Sequence, residues 1–192
     1  MSLTIPMLLT LLRIALIPVF ILAFYIPLFG LNNYIVTAIF FIAGVTDWFD
    51  GYLARKWDQQ TQLGAFLDPV ADKLMVATAL VLLVSKHPSI WLAIPAIIII
   101  GREITISALR EWMANVGDKT KVAVSIIGKI KTAAQMWAIG FLLFEVPLGE
   151  VSTIAIGYLL LYMAAILTLW SMLIYLQAAW PSLTSETTSN KG

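Results

Sequence analysis

Six long apolar runs, near residues 7–27, 33–55, 66–85, 89–113, 122–145 and 150–179, take up most of this chain. Each is close to the roughly 20 residues that a helix needs to cross the hydrocarbon core of a bilayer. The runs are solidly apolar rather than alternating, which argues against a β-barrel. Backbone amides in lipid have no water to bond, so runs of this kind must be helical. Composition agrees: 60% of residues are hydrophobic and 12% are charged, against roughly half and about a quarter in a soluble domain. The expected fold is all-α, a polytopic six-helix transmembrane bundle.

Turn-forming or polar residues separate the runs: Gly30 to Asn33, Lys56 to Gly64, Lys86 to Ser89, Asn115 to Thr120, and Pro147 to Glu150. No internal repeat is evident. The expected organisation is one transmembrane domain over 1–180, with a polar, disordered tail at 181–192. The absence of cysteine excludes disulfides and thiol chemistry. A formal net charge of +1 provides no field for nucleic acid. The N-terminus lacks the pattern of a cleavable signal, so the first run is expected to stay as an anchor. Arg55 and Lys56 lie in the second connection, Lys119 and Lys121 in the fourth, while Lys86 is the exception among the alternate ones. Positive residues favour the cytoplasmic side, which predicts both termini there as well. Trp91, Trp112 and Trp180 stand near run ends, as interfacial aromatics do.

Against this apolar background the acidic residues stand out. The second run ends with Asp47-Trp-Phe-Asp50-Gly51-Tyr-Leu-Ala54-Arg55, and the third starts with Gly64-Ala-Phe-Leu-Asp68-Pro-Val-Ala-Asp72. Residues three or four apart share a helix face. Asp47, Asp50, Gly51 and Ala54 therefore form one stripe, and Gly64, Asp68 and Asp72 another. A short connection makes the two helices antiparallel neighbours and lets the stripes face each other. Pro69 is expected near the start of the third helix, where its missing N–H costs nothing.

Four carboxylates at one membrane depth repel and are costly to desolvate. Arg55, Lys56 and Lys73 are too few and too mobile to neutralise them. Hard divalent cations with oxygen ligands, Mg²⁺ or Mn²⁺, meet the need. Two such ions would clamp a phosphoryl group between attacking and leaving oxygens. The small residues Gly51, Ala54 and Gly64 leave room for a pyrophosphate or nucleotide to approach the backbone. Two other readings have less to support them. Purely structural intramembrane acids are normally matched one-to-one with bases. A divalent-cation transporter usually shows repeats and broken helices, which are missing here.

The pattern D-x-x-D-G-x-x-A-R-x₈-G-x-x-x-D-x-x-x-D, matched here at every fixed position, resembles the signature of the CDP-alcohol phosphatidyltransferase family. Further stretches carry the likeness over nearly the whole chain: Ile5 to Arg13, Thr46 to Arg55, Gly64 to Lys73, Arg102-Glu103, Ser107 to Trp112 and Gly128 to Gln135. They look most like the bacterial branch that accepts glycerol 3-phosphate. One departure is Met7, where many relatives carry asparagine; whatever that asparagine does falls here to another group.

The resemblance implies a homodimeric enzyme of the bacterial inner membrane with a polar cleft at the cytoplasmic side. It implies transfer of a phosphatidyl group from CDP-diacylglycerol to an alcohol, with release of CMP. Asp47, Asp50, Asp68 and Asp72 are then the ligands of two metal ions, Mg²⁺ or Mn²⁺, and Asp72 is also the general base. Gly51, Ala54, Arg55 and Gly64 contact the CDP part. Glycerol 3-phosphate as acceptor is a dianion, for which Arg102, Arg110, Lys129 and Lys131 are the candidate partners. Inositol phosphate or serine are the alternative acceptors.

Five residues receive separate expectations. Arg102 is embedded in apolar sequence, and Glu103 beside it is expected to point to another face. Arg13 and Thr10, near the cytoplasmic end of the first run, could touch substrate or headgroups. His87, the single histidine, is expected as a solvated loop residue.

Overall fold

The structure, a computed structural model, describes residues 5–27, 30–57, 62–115, 126–147 and 149–184. Its regular elements there are six helices: α1 (Ile5–Tyr25), α2 (Asn32–Trp57), α3 (Gln62–Lys86), α4 (Ile90–Asn115), α5 (Ile126–Phe144) and α6 (Thr153–Thr184). Each matches one apolar run, so the all-α expectation holds.

Stretches in α1 (Met7–Tyr25), α4 (Ile90–Met113) and α6 (Thr153–Trp180) are long and apolar enough to cross a membrane, while α5 contributes a shorter one, Ile130–Phe144. Large apolar side chains such as Ile97, Ile104, Leu159, Ile166 and Trp170 point outward, each at least 60% exposed. In water that surface would drive aggregation; in lipid it is the proper solvent contact. The chain is a membrane protein.

The packing order forms a closed ring. α1 packs on α2 and α3, α2 on α5, α5 on α6, α6 on α4, and α4 on α3. α3 also touches α2 and α5, giving it four neighbours. The core it helps to build includes Phe20, Phe40, Leu80, Leu83, Ile99 and Ile139. Close helix approach depends on small residues, as is usual in membranes. A Cβ added at Gly157 of α6 would lie 2.7 Å from Leu142 Cγ of α5.

Two boundaries differ from expectation. α3 begins at Gln62, so Pro69 lies inside the helix rather than at its start. α6 continues through Pro181 to Thr184, while residues 185–192 lie outside the described part. In both helices proline's fixed φ suits the helix, and the cost is one missing backbone bond in the preceding turn. Residues 122–125 of the fifth run, with the basic connection holding Lys119 and Lys121, also lie outside.

At the end of the bundle away from the aspartates, Glu145 closes α5 with φ +54°, a conformation that usually takes glycine. Its carboxylate accepts from Lys86 Nζ at 2.6 Å and from Asn33 Nδ2 at 3.4 Å, and lies 2.5 Å from His87 Nε2. His87 is an exposed loop residue, as expected, and its ring also meets the Glu145 carboxylate. Nothing in the sequence around it pointed to Glu145, 58 residues away.

Candidate active site

Asp47 lies ten residues before the end of α2, and Asp72 ten residues after the start of α3. With a rise of about 1.5 Å per residue and opposite chain directions, both sit at the same level. Asp72 is exposed and within electrostatic range of Asp47, Arg13, Glu103 and Lys73. The two acidic stripes thus meet at one level through the pair whose side chains are described. The side chains of Asp50 and Asp68, and those of Gly51, Ala54 and Arg55, lie outside the described residues. Gly64 is buried in the first turn of α3.

Direct contact between α2 and α3 is limited, and α1 packs on both. That placement gives Arg13 its role. It is 1% exposed, and its Nη1 donates to Asp47 Oδ1 at 2.5 Å. A buried guanidinium needs a carboxylate partner, and Asp47 provides one. Thr10, one turn earlier, is also buried. Met7, a further turn back, packs inside the protein. Lys73 is not mobile, as its sequence setting suggested: its ammonium donates to Ser107 Oγ, tying α3 to α4.

A basic cluster is linked to the carboxylates through Glu103, which stands within electrostatic range of Asp72. Arg102 of α4 and Lys131 of α5 are both buried. Glu103 Oε1 accepts from Arg102 Nη1 at 2.5 Å and from Lys131 Nζ at 3.1 Å. The expectation that Glu103 points away from Arg102 is therefore corrected. Adjacent helical residues diverge by about 100° at the backbone. Long side chains close that gap when an apolar surround makes pairing worthwhile. Arg102 Nη2 also donates to Ser171 Oγ of α6 at 3.4 Å. Its Nε is buried with no hydrogen-bond partner among the described residues.

Arg110, two turns beyond Arg102 on α4, is exposed. It donates to Tyr175 Oη at 2.8 Å, with its guanidinium 5.1 Å from the ring centroid. It acts electrostatically on Lys131, as does Arg102. Arg102, Arg110 and Lys131 are thus brought together from α4 and α5; the side chain of Lys129 lies outside the described residues. Sequence reasoning missed Glu103, Ser171 and Tyr175 as members of this group. A lone acid beside a buried arginine was a usable signal for Glu103, whereas the α6 residues sit in sequence that reads only as lipid-facing helix.

The arrangement has a chemical logic. Asp47 and Asp72 are oxygen donors of the kind hard divalent cations take, and one oxygen of Asp47 is already oriented by Arg13. Among the described residues no group of three such donors comes together, so these two would be only part of a metal's ligand set. The neighbouring cations fit a phosphate, with the arginine fork suited to bidentate contact.

Comparison with known proteins agrees. A family model described as CDP-alcohol phosphatidyltransferase matches residues 3–170. The protein named CDP-diacylglycerol–glycerol-3-phosphate 3-phosphatidyltransferase in Haemophilus influenzae is 58% identical over 184 residues, covering 95% of this chain and 97% of that one. Its namesake in Pectobacterium atrosepticum is 56% identical over 179 residues, covering 93% and 96%. That of Shigella flexneri is 52% identical over 186 residues, covering 97% and 100%. With the signature complete and the likeness running through every helix, the chain belongs to the CDP-alcohol phosphatidyltransferase family.

Proposed function

We propose that this membrane enzyme transfers the phosphatidyl group of CDP-diacylglycerol to the 1-hydroxyl of glycerol 3-phosphate, giving phosphatidylglycerophosphate and CMP. The observation that carries this reading is Glu103, which pairs with Arg102 and Lys131 and stands within electrostatic range of Asp72, so that it links the basic cluster to the carboxylate pair Asp47 and Asp72. Nearly full-length relatives that bear this activity in their names support it. Inositol phosphate or serine as acceptor has no comparable support, nor does ion transport.

Asp47, Asp50, Asp68 and Asp72 would hold Mg²⁺ or Mn²⁺, two ions in this reading. When bound, the metal neutralises the pyrophosphate and the charge that develops on the leaving group. Gly51, Ala54, Arg55 and Gly64 are assigned to the CDP part. The phosphate of the acceptor rests on Arg102, Arg110, Lys131 and Lys129, which aligns its free hydroxyl toward Asp72. A carboxylate oxygen of Asp72 takes the hydroxyl proton as the new O–P bond forms at the β-phosphorus. The bond from that phosphorus to the bridging oxygen breaks, and CMP leaves with the electron pair. No covalent nucleophile is required.

The enzyme is assigned to the bacterial inner membrane, with the site in a polar cleft at the cytoplasmic side. Lipid enters that cleft sideways, and glycerol 3-phosphate enters from water. The positive residues of the second and fourth connections support this orientation. The family resemblance supports a homodimer. The decisive assay measures CMP release from CDP-diacylglycerol with each alcohol in turn. Strong stimulation by glycerol 3-phosphate alone is expected, and stimulation by inositol phosphate or serine instead would replace the acceptor. Arg110→Ala should raise the KM for glycerol 3-phosphate more than that for the CDP-lipid; an unchanged acceptor KM would remove Arg110 from the site.

A further inference from the structure

Two buried cations, Arg102 and Lys131, share one oxygen of Glu103. Cations at membrane depth are expensive without a partner, so the carboxylate explains why they are tolerated. It does not satisfy them. Arg102 Nε has no hydrogen-bond partner among the described residues, and the bond from Nη2 to Ser171 Oγ is long at 3.4 Å. Lys131 Nζ has donors beyond its bond to Glu103. Arg110 adds a third cation within electrostatic range of Lys131. With Arg102 and Lys131 on one carboxylate and Arg110 in range of Lys131, three positive charges stand against one negative; the surplus of two is the complement of a phosphate monoester dianion.

Glu103 also stands within electrostatic range of Asp72. A carboxylate fixed on Arg102 and Lys131 would repel the dianion that these cations attract. Its side chain is 26% exposed, unlike those of the two cations, and so has room to turn outward.

We infer that Glu103 is a resident stand-in for the acceptor's phosphate. It neutralises Arg102 and Lys131 while the site is free and yields both to an incoming phosphate monoester. The inference rests on reading Arg102, Arg110 and Lys131 as the acceptor site. It gives Glu103 a part in specificity. An incoming monoanion merely exchanges one carboxylate-strength partner for another. A dianion presents three oxygens to the arginine fork and the ammonium, and gains by the exchange. Neutral and zwitterionic alcohols cannot displace Glu103 at all.

The test compares purified Glu103→Gln, Glu103→Asp and Lys131→Ala with the unmodified enzyme. Removing the competing charge in Glu103→Gln is expected to lower the KM for glycerol 3-phosphate about tenfold, within the range usual for coupled sites. Inorganic phosphate should inhibit that variant at lower concentration. Its thermal midpoint should fall in buffer, and inorganic phosphate should raise it by more than in the unmodified enzyme. Lys131→Ala should raise the acceptor KM. An unchanged acceptor KM in Lys131→Ala would overturn the phosphate site itself. A raised KM there, together with an unchanged or raised KM in Glu103→Gln, would instead make Glu103 a fixed support and overturn only the stand-in. Should Glu103→Gln fail to fold, Glu103→Asp keeps the charge but is one methylene too short to span both cations. A lowered acceptor KM in that variant supports the exchange, and an unchanged or raised one refutes it.

Discussion

Arg13 is almost fully buried and charged, yet it belongs to the most apolar end of the chain and carries no metal-binding motif of its own. Its bond to Asp47 shows what it does there. It pairs with one carboxylate oxygen of Asp47, which leaves the other for the proposed metal. Groups that orient metal ligands commonly contribute 10- to 100-fold to affinity or activity. Arg13→Met should therefore raise the divalent-metal concentration for half-maximal activity by about that factor; metal dependence identical to the unmodified enzyme would leave Arg13 as a purely structural charge. For Asp72, the loss of a general base predicts a fall in CMP release of about 100- to 10,000-fold in Asp72→Asn. Near-normal turnover would remove it as the base. Glu145 is subject to opposing effects, with a left-handed backbone against bonds to Lys86, His87 and Asn33. Both Glu145→Ala and Glu145→Gly lose those bonds, but glycine also relieves the backbone, by about 1 kcal/mol. Thermal unfolding in detergent should thus show alanine as the more damaging replacement.

Between elements, α3 has the largest set of neighbours and carries Asp72 and Lys73 where α1, α2 and α4 converge. The α5–α6 pair supplies a different kind of support. Lys131 on α5, and Ser171 and Tyr175 on α6, reach side chains of the same α4 segment, so the separation of these helices sets the basic cluster. Gly157 keeps that separation small, since an added Cβ would meet the Leu142 side chain at 2.7 Å and its backbone nitrogen at 3.2 Å. Gly157→Leu should cost about 1–3 kcal/mol of stability through overpacking. The readout is the thermal midpoint in detergent, and an unchanged midpoint would mean that α6 shifts freely along α5.

For the molecule as a whole, charge decides which way it sits. The connections near Arg55 and Lys119 are basic, and the one near Gly149 is not. The chain has no cysteine, so a single introduced thiol reports its own side of the membrane. In intact cells a membrane-impermeant maleimide should label Val151→Cys and spare Gln60→Cys. The reverse pattern would put the carboxylates on the outer face, away from cytoplasmic glycerol 3-phosphate.

Much of this protein is legible in one dimension. Hydrocarbon thickness and the need to bond every backbone amide translate apolar run length directly into helices, and six runs became six helices. Helical period placed Asp47 and Asp50 on one stripe and Asp68 and Asp72 on another, because three- and four-residue spacing is a local property. Pairings between distant segments were not legible. That Arg13 serves Asp47, that Glu103 spans Arg102 and Lys131, and that His87 meets Glu145 depend on the ring order of helices and on how far long side chains reach. Apolar helix faces look alike in sequence, so their neighbours, and with them the partners of every buried charge, were decided only in the packed bundle.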